Sequence, residues 1–236
     1  MSERPRTIDV IIPALNEEDA IGHVIAEIPR TLSAPWKLRN IIVANNGSTD
    51  RTAEIAREGG ALVVDATRRG YGSACLAAID SVRPSPPDVI VFLDGDHSDL
   101  PSELPLLLTP MNRGAELVIG SRTRGKRERG SLTPQQRVGN AIATHALRWL
   151  YGASFTDLGP FRAITWEALM RLEMIDLDYG WTVEMQIKGA KKRLRMDEVP
   201  VSYRKRIGVS KVSGTLRGTL GASRKILSLL ALHTRG

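Results

Sequence analysis

The first 121 residues alternate short apolar runs with helix-like stretches, and this rhythm restricts the fold more than any other feature of the chain. IDVIIP (8–13), NIIVAN (40–45), ALVVD (61–65), VIVFLD (89–94) and ELVIGS (116–121) read as five strands. Helical patterns separate them. Glu17 to Ile28 follows Asn16 as N-cap, and Asp50 to Glu58 follows Ser48 or Asp50 and closes at Gly59-Gly60. Gly72 to Val82 and Pro101 to Met111 are the other two, with Pro101 in a first turn. VIVFLD lacks polar alternation, which marks a strand buried on both faces. The alternation predicts an α/β fold with a mainly parallel, doubly wound sheet flanked by helices.

The second half is less regular. RTRGKRERGSLTP (122–134) carries five basic residues and one acid and reads as a basic loop. Arg137 to Tyr151 and Thr182 to Lys192 are helical patterns, and RMDEVPVSYR (195–204) reads as a strand. TDLGPFRAIT (156–165) is a turn leading into a strand or helix. With no internal repeat, the 236 residues suit a single domain over 1–214 and a C-terminal basic amphipathic helix over 215–236. In that helix Leu216, Leu220, Leu227 and Leu230 share a face beside Arg217, Arg224 and Lys225. It either packs its leucines on the core or lies on anionic lipid.

Lys+Arg number 33 against 26 Asp+Glu, a formal charge of +7 that invites an anionic partner. Nucleic acid is a poor choice, because the eleven aromatics are not interleaved with the basic residues as stacking platforms. The single cysteine, Cys75 in the apolar run ACLAAI, excludes an intramolecular disulfide framework and a multi-cysteine zinc site, and reads as a buried small hydrophobe. No stretch approaches the roughly 20 apolar residues of a membrane span, and the N-terminus lacks a signal-peptide cleavage site. The expected location is the cytoplasm, in solution or peripheral on the cytoplasmic membrane face.

Three motifs sit at the carboxyl ends of predicted strands, where ligands bind in parallel sheets. Asp94-Gly95-Asp96 follows VIVFLD. Two carboxylates so spaced either cap a turn or share a divalent cation that neutralises a diphosphate. Pro13-Ala14-Leu15-Asn16-Glu17 ends the first strand; it either caps a helix or offers Glu17 to a base or ribose. Asn45-Asn46-Gly47-Ser48 ends the second, with Gly47 allowing a tight turn before a helix N-terminus suited to an anion. The three should converge on one sheet edge. Gly70-Tyr71-Gly72 belongs near the same place, His97 is a polar neighbour of the acid pair, and Trp181 belongs either to an acceptor pocket or to the core.

PALNE, NNGSTD, DGD, GSR (120–122), TDLGPFR (156–162) and RIGVSK (206–211) occur in that order from residue 7 to about 214. In this the chain resembles the family 2 glycosyltransferases of the nucleotide-diphospho-sugar (GT-A) fold, and among them the dolichol- and polyprenyl-phosphate sugar synthases. The resemblance implies an inverting, metal-dependent hexosyl transfer from a nucleotide-diphosphate sugar to a polyprenyl phosphate. It implies that Pro13, Ala14, Asn16, Glu17 and Asn46 line the nucleotide pocket together with Asp94 and Gly95. Asp94 and Asp96 would hold Mg²⁺ or Mn²⁺; Arg122, Arg137 and Asn140 would meet the acceptor phosphate; Arg206, Ser210 and Lys211 would close over phosphates.

This chain departs from the family pattern at Asn45-Asn46, where two acids are usual, and at Val209, where a Glu is usual. A lipid phosphate is already an anionic nucleophile and needs positioning and charge cancellation only. A hydroxyl acceptor would need a catalytic base, for which Asp157 and Glu184 are the candidates. A nucleotide-sugar binder without catalysis is the further alternative.

Overall fold

The computed structural model describes residues 4–208. Ser210, Lys211 and the helix expected over 215–236 lie outside the described residues. Seven strands form one sheet: β1 (Arg6–Ala14), β2 (Trp36–Asn45), β3 (Leu62–Asp65), β4 (Val89–Phe92), β5 (Leu117–Ser121), β6 (Arg162–Thr165) and β7 (Met196–Pro200). Their order is β3-β2-β1-β4-β6-β5-β7. β6 runs antiparallel to β4 and β5, and the other pairings are parallel. The mainly parallel doubly wound sheet expected from the sequence is therefore present, with one reversed strand.

The five strands read in the first half all form. β2 starts earlier than NIIVAN because its first half carries the polar residues Lys37, Arg39 and Asn40; the buried run begins at Ile41. TDLGPFRAIT resolves into a turn followed by β6. The last strand is shorter than RMDEVPVSYR.

The helices are α1 (Glu18–Glu27), α2 (Thr52–Glu58), α3 (Tyr71–Val82), α4 (Leu104–Met111), α5 (Pro134–Tyr151), α6 (Trp166–Leu172) and α7 (Trp181–Lys191). Pro101–Glu103 is a 3₁₀ turn leading into α4. α5 begins three residues before the expected Arg137. A capping box fixes that start: the Thr133 hydroxyl accepts from the Gln136 backbone N–H, and the Gln136 side chain accepts from the Thr133 N–H. Gly152, at φ +66°, closes the helix in the left-handed conformation.

Every residue of β4 is buried, as the unbroken apolar run required. Alternate side chains feed two cores. Ile11, Ile42, Ile90 and Phe92 join Cys75, Ile79 and Trp181 on one face. Val10, Ile12, Val43 and Val91 join Ile21, Val24 and Leu107 on the other. Trp181 is a core residue, in edge contact with Phe92 at 6.0 Å between ring centroids. Cys75 is fully buried, and burial pushes its thiol well above its ordinary pKa.

The chain builds outward from β1 to β2 and β3, then returns to place β4 on the other side of β1. A crevice opens at such a reversal, outside the carboxyl ends of the strands on either side of it. Pro13–Glu17 and Asp94–Asp96 follow those two strand ends. Among the described residues, no helix is long and apolar enough to cross a membrane.

Candidate active site

The loops after β1 and β2 are stitched together. Asn16 was expected to cap α1; instead it sits at φ +52°, a conformation that Asn tolerates, and Glu17 takes the cap position. The Asn16 Oδ1 accepts from the Thr49 N–H at 2.8 Å, and its own N–H donates to the Ser48 hydroxyl at 3.0 Å. The Glu17 N–H donates to the Thr52 hydroxyl, and the Glu18 N–H to Asp50. Both asparagines at the end of β2 have internal work. Asn45 donates to Asp65 at 2.7 Å and accepts from the Ser48 N–H. Asn46 accepts from the Gly70 N–H at 3.0 Å and so anchors the turn before α3.

That turn must approach other backbone closely. A Cβ on Gly72 would lie 1.9 Å from the Asp176 carbonyl oxygen, and one on Gly70, at φ +137°, 2.1 Å from that of Leu177. Only glycine fits at either position. The turn delivers Tyr71, whose hydroxyl donates to Asp94 Oδ1 at 3.0 Å. Gly95 packs beneath the end of β1, where a Cβ would stand 3.4 Å from the Pro13 carbonyl oxygen. Pro13, Ala14, Asn46, Asp94 and Gly95 thus gather at one sheet edge, as the strand-end argument required.

The acid pair forms the floor. Asp96 Oδ1 accepts from the Ser98 N–H at 2.9 Å and from its hydroxyl, and Oδ2 pairs with Arg206 at 2.8 Å. Asp99 Oδ2 accepts from the Asp94 N–H, whereas its Oδ1 is buried with no hydrogen-bond partner. Burial, then the charge of Asp96, raises the Asp94 pKa to about 6, against the opposing pull of Arg206 and Arg122. Burial, then Asp94, raises Asp99 well above its ordinary value. Asp94, Asp96 and Asp99 thus stand as mutually repelling acids in a buried setting, with one carboxylate oxygen unpaired. Among the described residues no group of three His, Cys, Asp or Glu side chains is placed to hold a metal ion. A cation on Asp94 and Asp96 would complete its shell with water and ligand oxygens, as Mg²⁺ habitually does.

The segment 203–207 lies over this floor. Tyr203 bridges to Asp99, the Arg204 N–H donates to the Ser98 carbonyl, and the Ile207 N–H donates to that of Asp96. Arg204 also donates to Glu27 at 2.6 Å and to the His97 carbonyl, and His97 bonds the other Glu27 oxygen at 2.9 Å. This latch between α1 and the 97–99 turn positions Arg206. His97 is thus the polar neighbour expected from the sequence.

Arg122, from the loop after β5, meets Asp157. Its Nε and Nη2 bond the two carboxylate oxygens at 2.8 and 2.7 Å, and its N–H adds a third contact. The guanidinium stacks over Tyr203 at 5.0 Å. Asn140 brackets the same turn, donating to the Thr156 carbonyl and accepting from the Leu158 N–H. The expectation that Asp157 or Glu184 serves as a catalytic base meets committed side chains. Asp157 is fully buried and holds four donors, counting the Leu158 N–H. Glu184 is fully buried, accepts from the Ile175 and Asp176 N–H groups and pairs with Lys188 at 2.7 Å. Both position backbone.

Beside Arg122 opens a cavity of about 440 Å³ between α5 and the 155–156 turn. Arg122, Arg127, Arg137 and Arg148 line it with His145 and Asn140, and among the described residues no carboxylate does. Arg127, His145 and Arg148 were not singled out from the sequence. For the last two a signal existed: positions 137, 141, 144, 145 and 148 share one helical face. Asp99, Tyr203 and Arg204 also escaped, since their partners are distant in sequence.

The family model described as Glycosyl transferase family 2 matches residues 9–173. An uncharacterised glycosyltransferase of Mycobacterium tuberculosis is 35% identical over 215 residues, covering 90% of this chain and 93% of that one. A dolichyl-phosphate hexose transferase of Haloferax volcanii is 35% identical over 205 residues, covering 86% and 85%. The fold matches that of glucosyl-3-phosphoglycerate synthase from Mycobacterium tuberculosis, crystallised with Mn²⁺, UDP-glucose and phosphoglyceric acid. There the TM-score is 0.74 at 27% identity, covering 98% of this chain and 80% of that one. On these matches, the sheet and crevice described above are those of a GT-A glycosyltransferase, and the chain belongs to glycosyl transferase family 2.

Proposed function

We propose that this glycosyltransferase moves a hexose from a nucleotide-diphosphate sugar to a polyprenyl phosphate with inversion at the anomeric carbon. The observation that carries the reading is the composition of the cavity beside Arg122: four arginines, a histidine and no carboxylate. Planar guanidinium forks suit phosphate oxygens. A phosphate acceptor arrives ionised, so a cavity without a carboxylate base can serve it.

Pro13, Ala14, Asn16, Glu17, Asn46 and Gly95 would cradle the nucleotide, and Asp94 and Asp96 would hold Mg²⁺ or Mn²⁺. A divalent cation there would neutralise the diphosphate and make it a better leaving group. Arg206, bonded to Asp96, lies within reach of the same phosphates, and Ser210 and Lys211 continue that segment. Arg122, Arg137 and Asn140 orient the acceptor. One acceptor oxygen forms the new bond to the anomeric carbon from the face opposite the diphosphate. The bond from that carbon to the diphosphate oxygen breaks, and its electron pair leaves with the nucleoside diphosphate. The lipid-phosphate relative from Haloferax supports the acceptor class.

A second reading, transfer to a hydroxyl of a small phosphorylated acid, is favoured by the phosphoglycerate-bound structural neighbour. It requires a general base, and Asp157 and Glu184 are already engaged by Arg122 and Lys188. Steady-state kinetics with Arg137→Ala test the proposal. The KM for a short-chain polyprenyl phosphate should rise about tenfold or more, the loss of one charge-assisted bond, with the donor KM unchanged. An unchanged acceptor KM would remove the cavity from the acceptor path.

A further inference from the structure

α5 turns an apolar ridge to solvent. Val138 is 59% exposed, Ile142 56% and Trp149 86%. Spacings of four and seven residues set all three on one face, while Ala143 and Leu147 on the opposite face are buried. Single exposed apolar residues are ordinary, but three along one helical ridge make a patch. Arg137 and Arg148 flank the ridge on the side of the arginine-lined cavity. α5 contains no Asp or Glu, and residues 122–151 hold seven Lys/Arg against one acid, Glu128.

Charge and apolarity together select the occupant. A second copy of this chain docked about a twofold axis would set arginines against arginines with no acid between them. A nucleic acid would leave the Val138–Ile142–Trp149 ridge without a partner. An anionic bilayer satisfies both features, taking the apolar ridge into the boundary between headgroups and acyl chains and the arginines onto lipid phosphates. Tryptophan is suited to that boundary.

We propose that α5 is a docking helix that seats the protein on an anionic lipid surface, with Val138, Ile142 and Trp149 inserted. The cavity then borders the membrane, where a polyprenyl phosphate resides; this significance rests on the lipid-phosphate reading above. The face is distinct from the C-terminal segment considered in the sequence.

Trp149 is its own reporter. The full chain is mixed with phosphatidylcholine vesicles with and without phosphatidylglycerol, some carrying brominated acyl chains. Flotation gives binding, and tryptophan quenching gives insertion. Trp36 and Trp181 are buried and Trp166 is half-buried against the core, so Trp149, at 86% exposure, should dominate the quenching. The chain should float with the anionic vesicles, lose most of the quenching in Trp149→Phe, and bind about tenfold more weakly in Ile142→Glu. Ile142 projects to solvent, so nucleotide binding by that variant should be unchanged and certify its fold. Flotation without quenching, full binding by Ile142→Glu, or no binding to either vesicle would overturn the proposal. So would a self-associated state that Ile142→Glu disperses. Transfer to a short-chain polyprenyl phosphate in detergent reports separately on the acceptor, so the two failures are told apart.

Discussion

Arg122 and Asp157 form a two-pronged ion pair, 35 residues apart in sequence, with contacts of 2.8 and 2.7 Å. The pair fixes the turn at the mouth of the arginine-lined cavity. Removing one partner strands a buried charge, which costs about 3–5 kcal/mol. Asp157→Ala should lose stability of that order in urea unfolding. A double change to Arg122→Met with Asp157→Leu should cost less than the two single changes summed. A fully stable Asp157→Ala with turnover abolished would restore Asp157 as a base.

Glu184 should behave as a structural acid. Glu184→Gln keeps the shape but loses the ion pair with Lys188 and weakens acceptance from the Ile175 and Asp176 N–H groups. The expected result is a lower melting temperature with kcat in the folded protein within about threefold of the parent. A pH–rate profile that loses its acid limb in this variant would contradict that role.

Asp94 carries a raised pKa of about 6, so without cation the folded protein holds a proton more tightly there than the unfolded chain does. This contributes stability below the ordinary carboxylate range, near pH 4, and the contribution fades as pH rises through about 6. Asp94→Asn should therefore stabilise the cation-free protein at pH 7, by at most about 3 kcal/mol, and lose that advantage near pH 4. It should also abolish Mn²⁺-dependent nucleotide binding. Denaturation at the two pH values and calorimetric titration check both statements.

Two glycines should respond in opposite directions. Gly72→Ala sets a methyl against the Asp176 carbonyl, so the α3 turn must shift and soluble yield should fall sharply. Gly139→Ala meets open space within α5 and should stabilise the protein by about 0.5–1 kcal/mol. Thermal melts of the two variants would show the contrast.

What the sequence revealed were features written in local pattern. The unbroken apolar run of β4 announced both its burial and the acids that follow it. The strand-end rule brought Pro13, Asn46 and Asp94 together before any coordinates. Long-range partnerships carry no such pattern. Asp157 reads as a turn acid until Arg122 is seen against it, and Asn46's second task, anchoring the turn before α3 through the Gly70 N–H, shows only in the fold. Asp99 looks like the end of a turn because Tyr203, its bridge partner, comes from the far end of the described chain. β6 is four residues long, too short for periodicity to tell a strand from a helix.

The most direct test gives the enzyme a labelled nucleotide sugar, Mn²⁺, and equal amounts of a polyprenyl phosphate and 3-phosphoglycerate. Label should pass into the organic phase as a glycosyl phosphodiester, at a rate that collapses in Asp96→Asn. Label confined to a water-soluble glycosyl phosphoglycerate would contradict the assignment of the arginine-lined cavity to a phosphate nucleophile.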